Sequence, residues 1–363
     1  YRSAESHQRG AVSMVRIGII GIGFMGYTHF TGAGKLRGGK VTAIATRSKK
    51  KLSGDWRGIQ GNFGPPAGKV DLKGVKTFSD YHELLADPDI DLVDICLPTD
   101  QHEQVTLDAI KAGKHVLVEK PIATDLKAAD RMVRAAEKAG VILMVGQVLP
   151  FFPEFRYVAE IVESEKYGKL LAGHFRRVIT PPNWSTDMSD FRKLGGWGVD
   201  LHIHDNHFIN LVCGVPDKVF ARGLLRDGLV NHVHSQYIYD DSEQAVSCVS
   251  GGIAAKGLEF GHGFEIFLEK ATIAYDAGTY GKPPEWVVNR PLTLITNDGK
   301  ARPPKLKGGS EWYAAFSVEL QAAVDGVKSG ASPRVLSGEL ARDALKLCNA
   351  EAKSVATGRI IKL

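Results

Sequence analysis

The segment best equipped for acid–base chemistry has the sequence GGWGVDLHIHDNH and spans residues 195–207. If this segment forms a helix, spacings of four and three residues place Asp200, His204 and His207 on one face, whereas His202 points elsewhere. An imidazole titrates near neutral pH, so His204 is suited to act as a general base or acid. Asp200 would orient that imidazole or bind a substrate hydroxyl.

The same histidine-rich segment admits two other interpretations. Three histidines and two aspartates are potential metal ligands, but no cysteine accompanies them, and we expect no metal site here. Histidines also occur in protein cores with their hydrogen bonds satisfied, and this interpretation applies more to His202 and His207 than to His204.

A second candidate is Lys120, in the run VLVEKP. The run predicts a buried strand, and the carboxyl ends of parallel strands line the ligand crevice of such a sheet. Pro121 fixes the backbone, so the ammonium can be held beside a substrate hydroxyl. Oxidation of an alcohol removes the hydroxyl proton as hydride leaves carbon, and a nearby cation stabilises the developing alkoxide. A surface lysine before a turn is the alternative.

The third candidate is the glycine-rich run GIGFMG, between a predicted strand and a predicted helix. Gly21 permits a tight turn, Gly23 permits close approach of a pyrophosphate, and Gly26 permits close packing of helix on strand. The helix that opens at Phe24 and Met25 offers unpaired amides to a phosphate. In this context the run predicts dinucleotide binding, and a merely structural turn is the alternative.

The end of the second predicted strand bears on the choice between NAD and NADP. An acidic residue there would bind the ribose 2′-hydroxyl, whereas arginine accommodates a 2′-phosphate. Here the chain places Thr46, Arg47 and Ser48, without a carboxylate. Arginine forms forked contacts with phosphate, and the hydroxyls can donate hydrogen bonds. The sequence favours NADP over NAD, with dual binding as the alternative.

The elements that must position these residues follow from the hydrophobic pattern. Short apolar runs alternate with helical stretches, two of which end at Gly113 and Gly140 in the expected C-cap position. This alternation predicts an α/β Rossmann domain with a doubly wound parallel sheet at residues 14–147. Residues 1–13 are polar and are interpreted as a flexible tail.

The pattern changes in residues 148–363, where strand-like runs follow one another and two helices close the chain. It predicts an α+β domain with a large, open, mostly antiparallel sheet. A sheet face that is not covered by helices offers a subunit interface, so we expect a homodimer or homotetramer.

Composition excludes several other classes. The formal charge of +5 is small for 363 residues and is scattered, so no nucleic-acid-binding face is expected. No run approaches the roughly 20 apolar residues that span a bilayer, so no membrane partner is expected. The polar opening lacks the apolar core of a signal peptide, and the four scattered cysteines are interpreted as buried free thiols. We expect a cytoplasmic protein.

Together these segments resemble the glucose–fructose oxidoreductase, inositol dehydrogenase and rhizopine-catabolism family, written Gfo/Idh/MocA. The resemblance covers nearly the whole chain, and the run LPTDQHEQVTLDAIKAGKHVLVEKPIAT carries it most specifically. It implies that Lys120 is catalytic and that Asp200 and His204 lie near the transferred hydride. It further implies that Trp197 contributes to the substrate site.

The resemblance also assigns residues to the cofactor. It implies that Pro98, Thr99, Glu119 and Gln147 lie along the dinucleotide or its nicotinamide end. We expect His102 and Lys120 to contribute to cofactor binding as well.

Three departures from the family pattern flank the expected pocket. His202 stands where relatives often have glycine, and His207 stands where they often have aspartate. The run PFFP at residues 150–153 replaces a common arginine. The Gly- and Pro-rich loop at residues 54–74 is longer than usual, and we expect it to cover the adenine end of the cofactor or to contact a neighbouring subunit.

The resemblance and the residues together predict reversible hydride transfer between NAD(P) and a secondary alcohol of a sugar, cyclitol or related polyol. Two alternatives keep the same fold: a sugar sensor that binds the cofactor without turnover, and an isomerase or glycosidase that retains its cofactor. A metal-dependent hydrolase that uses the histidine cluster is a third.

Overall fold

The computed structural model describes residues 14–181, 191–192, 195–241 and 243–363, so the tail predicted at residues 1–13 lies outside the described part. The chain forms two compact units. The first contains the chain up to Glu119 together with Arg131–Gly146 and Ser310–Ser337. The second contains Lys120–Asp130, Gln147–Gly309 and Gly338–Leu363.

A six-stranded parallel sheet forms the centre of the first unit. Strands β1, β4, β5 and β6 are apolar runs that are almost completely buried, as in a sheet covered by helices on both sides, whereas the edge strand β3 is largely exposed. In space the order is β3-β2-β1-β4-β5-β6. The chain adds β2 and β3 on one side of β1 and then crosses to add β4, β5 and β6 on the other, so the strand order switches between β1 and β4. The strands are β1 Val15–Ile20, β2 Gly39–Ala45, β3 Lys76–Phe78, β4 Leu92–Ile95, β5 His115–Glu119 and β6 Leu143–Gly146.

Helices connect these strands. They are α1 Phe24–Gly32, α2 Lys49–Leu52, α3 Tyr81–Ala86, α4 His102–Lys111 and α5 Leu126–Ala139, with short 3₁₀ turns at Ala33–Lys35 and Thr99–Gln101.

A helix from the C-terminal part of the chain also belongs to this unit. It is α9 in chain order, Ala314–Ser329, and is followed by the 3₁₀ turn Arg334–Leu336. The Ser317 hydroxyl donates to the Gly32 carbonyl at 2.9 Å. A side chain at Gly39 would come within 2.6 Å of Val324, so glycine there allows α9 to pack on β2. This contact places α9 with the parallel sheet, although a single boundary at residue 147 assigns it to the second domain.

The described residues of the second unit form a nine-stranded sheet. Its order is β14-β13-β12-β11-β7-β10-β9-β8-β15, and one neighbouring pair, β7 with β10, is parallel. The strands are β7 Leu170–Ile179, β8 Lys218–Arg226, β9 Leu229–Ile238, β10 Ala245–Gly251, β11 Leu258–Leu268, β12 Ala271–Tyr280, β13 Glu285–Thr296, β14 Ala301–Arg302 and β15 Ile361–Lys362.

Helices pack on one face of this sheet and enclose the main core of the unit, to which Phe155, Phe175, Phe208 and Phe264 contribute. They are α6 Pro153–Glu163, α7 Trp197–Asp200, α8 Ile203–Val212 and α10 Gly338–Thr357, with a 3₁₀ turn at Leu149–Phe151. Side chains alternate between the two faces of each strand, which explains the alternating burial along β9.

The opposite face of the large sheet carries charged side chains around an open cavity of about 360 Å³. Arg176 pairs with Asp276 across this face, and Arg290 pairs with Glu265 at 2.5 Å. The association of copies of the chain through this face remains a prediction.

These observations confirm the predicted fold class, a Rossmann unit joined to a unit with a large, mostly antiparallel sheet. The four cysteines are free and buried, as expected. Of the helices described, none combines the length and apolar composition of a membrane-spanning segment.

Candidate functional site

The glycine-rich turn follows β1 and has the geometry that a dinucleotide phosphate requires. Gly21 has a φ of +96°, and a Cβ there would lie 2.5 Å from the Cys96 carbonyl oxygen. A Cβ at Gly26 would lie 2.0 Å from the Gly21 carbonyl oxygen, so close packing of α1 on the turn requires glycine. Apart from its immediate chain neighbours, none of the described residues places a heavy atom within 4 Å of a Cβ built on Gly23. The turn is therefore tight on its inner side and open at Gly23.

The first turn of α1 is open to an anion. Gly23 is its N-cap, no described side chain caps its amides, and its first residues, including Phe24 and Met25, carry no acid. A helix N-terminus of this kind concentrates unpaired N–H groups and positive dipole charge. These residues fit the pyrophosphate of a nicotinamide dinucleotide.

The long loop predicted at residues 54–74 packs against this helix. Phe63 lies edge-on to Phe24, with ring centroids 4.6 Å apart, and stacks on Phe316 of α9 at 5.4 Å. Trp56 is completely buried and donates its indole N–H to the Lys51 carbonyl at 2.8 Å. Aromatic contacts therefore fasten the loop to the helix that follows the glycine turn.

The end of β2 presents Arg47 exposed to solvent, between two residues with local hydrogen bonds. The Ser48 hydroxyl accepts from the Lys51 amide and caps α2, and the Thr46 hydroxyl accepts from the Ser48 amide. Lys51 was not predicted from sequence: its ammonium donates to the Ile22 carbonyl inside the glycine turn at 2.5 Å, and burial lowers its pKa. In the sequence, the one indication of a role for Lys51 is its position in a lysine-rich run after β2.

The loop after β4 holds three of the residues assigned to the cofactor. Pro98 precedes the 3₁₀ turn that starts at Thr99. The imidazole of His102 is fully buried and hydrogen-bonds to the Leu97 carbonyl at 2.8 Å. His102 thus fixes the backbone of the turn from inside, so any contribution to cofactor binding is indirect.

A buried ionic cluster lies behind the ends of β4 and β5, and sequence reasoning did not predict it. The ring of His29 in α1 lies 2.9 Å from Asp94, 3.0 Å from Glu119 and 3.9 Å from Glu319. The Cys96 thiol is 3.5 Å from the same ring. The sequence shows a histidine within the first helix, but the acidic residues around it come from three other elements. Their proximity could therefore not be predicted.

The charges of this cluster follow from its neighbours. Burial opposes the positive charge of His29, but Asp94 and Cys96 raise its pKa well above the ordinary value. Burial raises the pKa of Glu319 well above its ordinary value, although His29 opposes this effect. We conclude that His29 is a cation shared by Asp94 and Glu119, and that Glu319 is the protonated member.

In the second unit, the ammonium of Lys120 lies 3.0 Å from the Asp200 carboxylate and 3.0 Å from the Asp200 main-chain carbonyl oxygen. Both side chains are mostly buried, with 21% and 11% of their surfaces exposed. The structure therefore brings together two residues that are eighty positions apart and that were selected independently for chemistry.

The helix predicted through Asp200 and His204 is interrupted, which corrects the prediction of one continuous face. α7 ends at Asp200, and α8 begins at Ile203. In a continuous helix the His204 amide would donate to the Asp200 carbonyl, but that carbonyl accepts from Lys120. The His204 amide donates instead to Leu201 at 3.4 Å. Lys120 thus occupies the acceptor that would have continued the helix.

His204 is half-buried, and its Nδ1 has no hydrogen-bond partner among the described residues. Burial lowers its pKa well below the ordinary value, and the charges of Lys120 and Arg177 lower it further. Titration near neutral pH, expected from the residue type, is therefore incorrect for this environment. His204 is a neutral imidazole at physiological pH.

The remaining histidines of the segment differ in their partners. His202 is fully buried and lies 2.9 Å from Glu351; burial opposes its charge, but Glu351 raises its pKa. Asn206 also donates to Glu351, at 2.6 Å, so His202 belongs to a structural network. His207 is fully buried as well. Beside His204, by contrast, the charges that act are those of Lys120 and Arg177.

Two further predicted positions are buried. The Gln147 side chain is fully buried, and its amide has no hydrogen bond within the described part of the chain. Trp197 packs with Phe191 and Leu201 in a small apolar cluster, and its indole N–H likewise has no partner there. Trp197, the first residue of α7, thus contributes to the packing of this helix.

Two groups of side chains have the composition of metal ligands, but their donor atoms are engaged in hydrogen bonds. His29 hydrogen-bonds to Asp94, His202 pairs with Glu351, and Asp205 pairs with Arg177 at 2.8 Å. The two groups are His29, Asp94 and Cys96, and His202, Asp205 and Cys248.

Comparison with known sequences gives a consistent result. Residues 15–147 match the sequence model of Gfo/Idh/MocA, described as an oxidoreductase family with an NAD-binding Rossmann fold. A myo-inositol 2-dehydrogenase of Thermotoga maritima is 28% identical over 355 residues, which cover 96% of this chain and 98% of that protein. An inositol 2-dehydrogenase of Pseudomonas syringae pv. syringae is 27% identical over 92% of this chain and 93% of that protein.

Solved structures agree with the sequence comparison. A probable dehydrogenase from Thermotoga maritima superposes with a TM-score of 0.75 at 27% identity, covering 96% of this chain and 98% of that chain. An oxidoreductase from Agrobacterium radiobacter, solved with NAD⁺, L-tartaric acid and magnesium, has a TM-score of 0.77 over 96% and 98% of the two chains. At 19% identity, this second likeness concerns the fold alone.

The ionic cluster around His29 generates a stability prediction. Removal of one partner from a buried ion pair typically costs about 3–5 kcal/mol, so His29→Gln should lower the melting temperature clearly. A raised histidine pKa contributes stability that is complete below about pH 6.5 and is lost as pH rises through the folded-state pKa. The difference between wild type and His29→Gln should therefore be largest at pH 6 and should narrow in alkaline buffer.

Glu319→Gln is the matched variant, because the amide replaces a carboxyl that is already protonated. We expect it to melt at or above the wild-type temperature, and His82→Gln, at an exposed site, should match wild type. Scanning calorimetry across pH measures all three, and a strong loss of stability in Glu319→Gln would contradict the assigned charges.

Proposed function

We propose that this chain, whose residues 15–147 match the Gfo/Idh/MocA oxidoreductase model, transfers a hydride reversibly between NAD(P) and a secondary alcohol of a cyclic polyol or sugar. The observation that carries this proposal is the pairing of Lys120 with Asp200, in the same unit as a neutral His204. Relatives named inositol 2-dehydrogenases support a cyclitol as the first substrate to test.

The glycine turn would hold the dinucleotide. Gly21, Gly23 and Gly26 provide the cradle, and the first turn of α1 provides amides to the pyrophosphate. Pro98 and Thr99 follow the neighbouring strand β4 at the carboxyl edge of the sheet, where ligands bind in folds of this kind. When bound, the nicotinamide supplies the acceptor for the hydride.

The residues of the second unit would handle the proton and the charge on oxygen. The Lys120 ammonium donates a hydrogen bond to the reacting oxygen and stabilises its developing negative charge. His204 accepts the hydroxyl proton, for which an imidazole must be unprotonated. Asp200 holds Lys120 in place from both its side chain and its backbone.

We expect Lys120→Met to lower kcat for myo-inositol oxidation by about 100-fold or more, since loss of one preorganised donor to a developing oxyanion has this effect. Cofactor affinity, measured by quenching of tryptophan fluorescence with NADH or NADPH, should stay nearly unchanged. Lys111→Met, at an exposed site on α4, is the control and should retain wild-type kcat. Full turnover in Lys120→Met would remove the lysine from this role. Wild-type cofactor binding without any absorbance change at 340 nm across a polyol panel would indicate a sensor.

The lowered pKa of His204 sets the pH dependence of oxidation. Protonation abolishes the base, so kcat/KM should stay high as pH falls past 6.5 and should decline only at lower pH, through the depressed pKa. Lys120 lowers this pKa through its charge, so the residual activity of Lys120→Met should decline at higher pH than wild-type activity. Initial rates between pH 5 and 9 test both statements; a wild-type decline centred above pH 6.5 would be inconsistent with them.

We further propose that NADP is preferred over NAD. The exposed Arg47 and the absence of a carboxylate in the run TRS after β2 support this preference. Arg47→Ala should raise KM for NADP⁺ by about 10-fold to 100-fold, as expected for a charge-assisted contact worth about 1.5–3 kcal/mol. KM for NAD⁺ should change little, and the exposed Arg37→Ala should leave both unchanged. Equal effects on the two cofactors would argue against recognition of the 2′-phosphate.

A further inference from the structure

His262 is a buried polar side chain that the mechanism above does not use. It lies on β11 with 8% of its surface exposed, and neither ring nitrogen has a hydrogen-bond partner within the described part of the chain. Four aromatic rings surround it, with centroids between 5.0 and 5.6 Å from its own: Phe155, Phe260, Tyr275 and Trp286. A buried polar group without a partner costs free energy, so its position requires an explanation.

The position of His262 connects it to the reacting groups. In the ladder between β7 and β11 it lies directly opposite Arg177, so the two side chains share one face of the sheet. Arg177 forms a forked pair with Asp205, at 2.8 and 3.2 Å, and Asp205 immediately follows His204 in α8. The charge of Arg177 lowers the pKa of both His204 and His262. His262 therefore lies beyond Arg177 on the same side of the sheet as His204.

The charges around His262 indicate what it can bind. Arg177 is compensated by Asp205, and both are nearly completely buried. Burial lowers the pKa of His262 well below the ordinary value, and Arg177 and Arg176 lower it further, so the imidazole is neutral. A neutral imidazole offers one hydrogen-bond donor and one acceptor, which matches a hydroxyl group. With no charge left uncompensated among these residues, a carboxylate or phosphate would lack a counter-ion.

The rings provide a surface for the apolar side of a ligand. Phe260 and Trp286 are stacked at 6.3 Å with 20° between their planes, and Trp286 is 52% exposed at the open side of the cluster. Ligand sites combine such apolar walls with a few polar groups that fix orientation. Cyclitols and pyranoses have both components, because C–H groups form their ring faces and hydroxyls form their edges.

We propose that His262 and the surrounding aromatic rings form the distal subsite of the substrate pocket. In this subsite, an uncharged ring polyol places its C–H face on the Phe260–Trp286 wall and a hydroxyl remote from the reacting carbon on His262. The proposal rests on the proposed function and specifies its substrate class: neutral cyclic polyols are accepted, and sugar acids and sugar phosphates are rejected.

Steady-state kinetics with myo-inositol as the probe tests the subsite. His262→Phe should raise KM by about 10-fold, the loss expected for one hydrogen bond, with a smaller change in kcat. His262→Gln keeps a donor and an acceptor and should recover most of the affinity. Trp286→Ala removes a half-exposed ring without disturbing the core and should also raise KM. His82→Phe, at an exposed histidine of the first unit, is the control.

Analogues locate the contact. Each monodeoxy-inositol lacks one hydroxyl. With wild type, one isomer should have a kcat/KM about 10-fold below that of myo-inositol. With His262→Phe, that isomer and myo-inositol should have the same kcat/KM, because the variant has already lost the same hydrogen bond. A myo-inositol phosphate and D-glucuronate should not compete with myo-inositol. Unchanged KM in His262→Phe and Trp286→Ala, or inhibition by the charged analogues at the concentration of the neutral ligand, would overturn the subsite.

The experiment separates this proposal from the proposed function. Wild type that oxidises no polyol with either cofactor contradicts the function, whereas turnover that is insensitive to both variants contradicts the subsite alone. If wild type shows no turnover, saturation-transfer NMR of myo-inositol with wild type and with His262→Phe still tests the subsite. Loss of the ring-proton signal in the variant supports the subsite without turnover, and equal signals exclude it.

Discussion

The ammonium of Lys120 contacts both the carboxylate and the main-chain carbonyl of Asp200, and the geometry of the site in the second unit depends on these two contacts. The carboxylate compensates the charge of a mostly buried ammonium. The carbonyl accepts a hydrogen bond from the lysine rather than from a helical amide. α7 therefore ends where the lysine contacts it, and His204 is carried by a separate helix. One side chain thus supplies a charge and also contacts the backbone at the break between the two helices.

Four histidines of the described residues, all buried or half-buried, fall into two groups according to the charges beside them. His29 and His202 lie against carboxylates, which raise their pKa and make them cationic partners in the core. His204 and His262 face the cation of Arg177, and burial together with that charge keeps them neutral. The same side chain is therefore charged in one setting and neutral in the other. The difference follows from the sign of the nearest charge, because burial alone lowers the pKa in all four cases.

Local patterns in the sequence were sufficient to predict the two sheets and the glycine turn, and to select Lys120 and Asp200, which the structure brings together. Each of these depends on periodicity or short spacing, which the sequence displays directly. The strand-like runs predicted within residues 148–363 correspond to β7–β13, whereas the two-residue edge strands β14 and β15 have no periodicity to detect. The parallel sheet was predictable for the same reason, since buried strands alternate with helices.

The contacts that were not predicted join residues far apart in the chain. Glu351 lies 149 positions from His202, and Asp94 lies 65 positions from His29. The lysine that contacts the Asp200 carbonyl at the helix interruption lies eighty positions earlier, so no window of local sequence contains this contact.

The second contact of Lys120, to a backbone oxygen, has a consequence for how such a protein can diverge. A carbonyl belongs to the fold and is present whichever amino acid occupies the position, so it is inherited unchanged when residue 200 is replaced. The lysine would keep one of its two anchors through such a replacement. Replacement of Asp200 would therefore remove the charge that compensates the ammonium but would leave one acceptor that fixes its position.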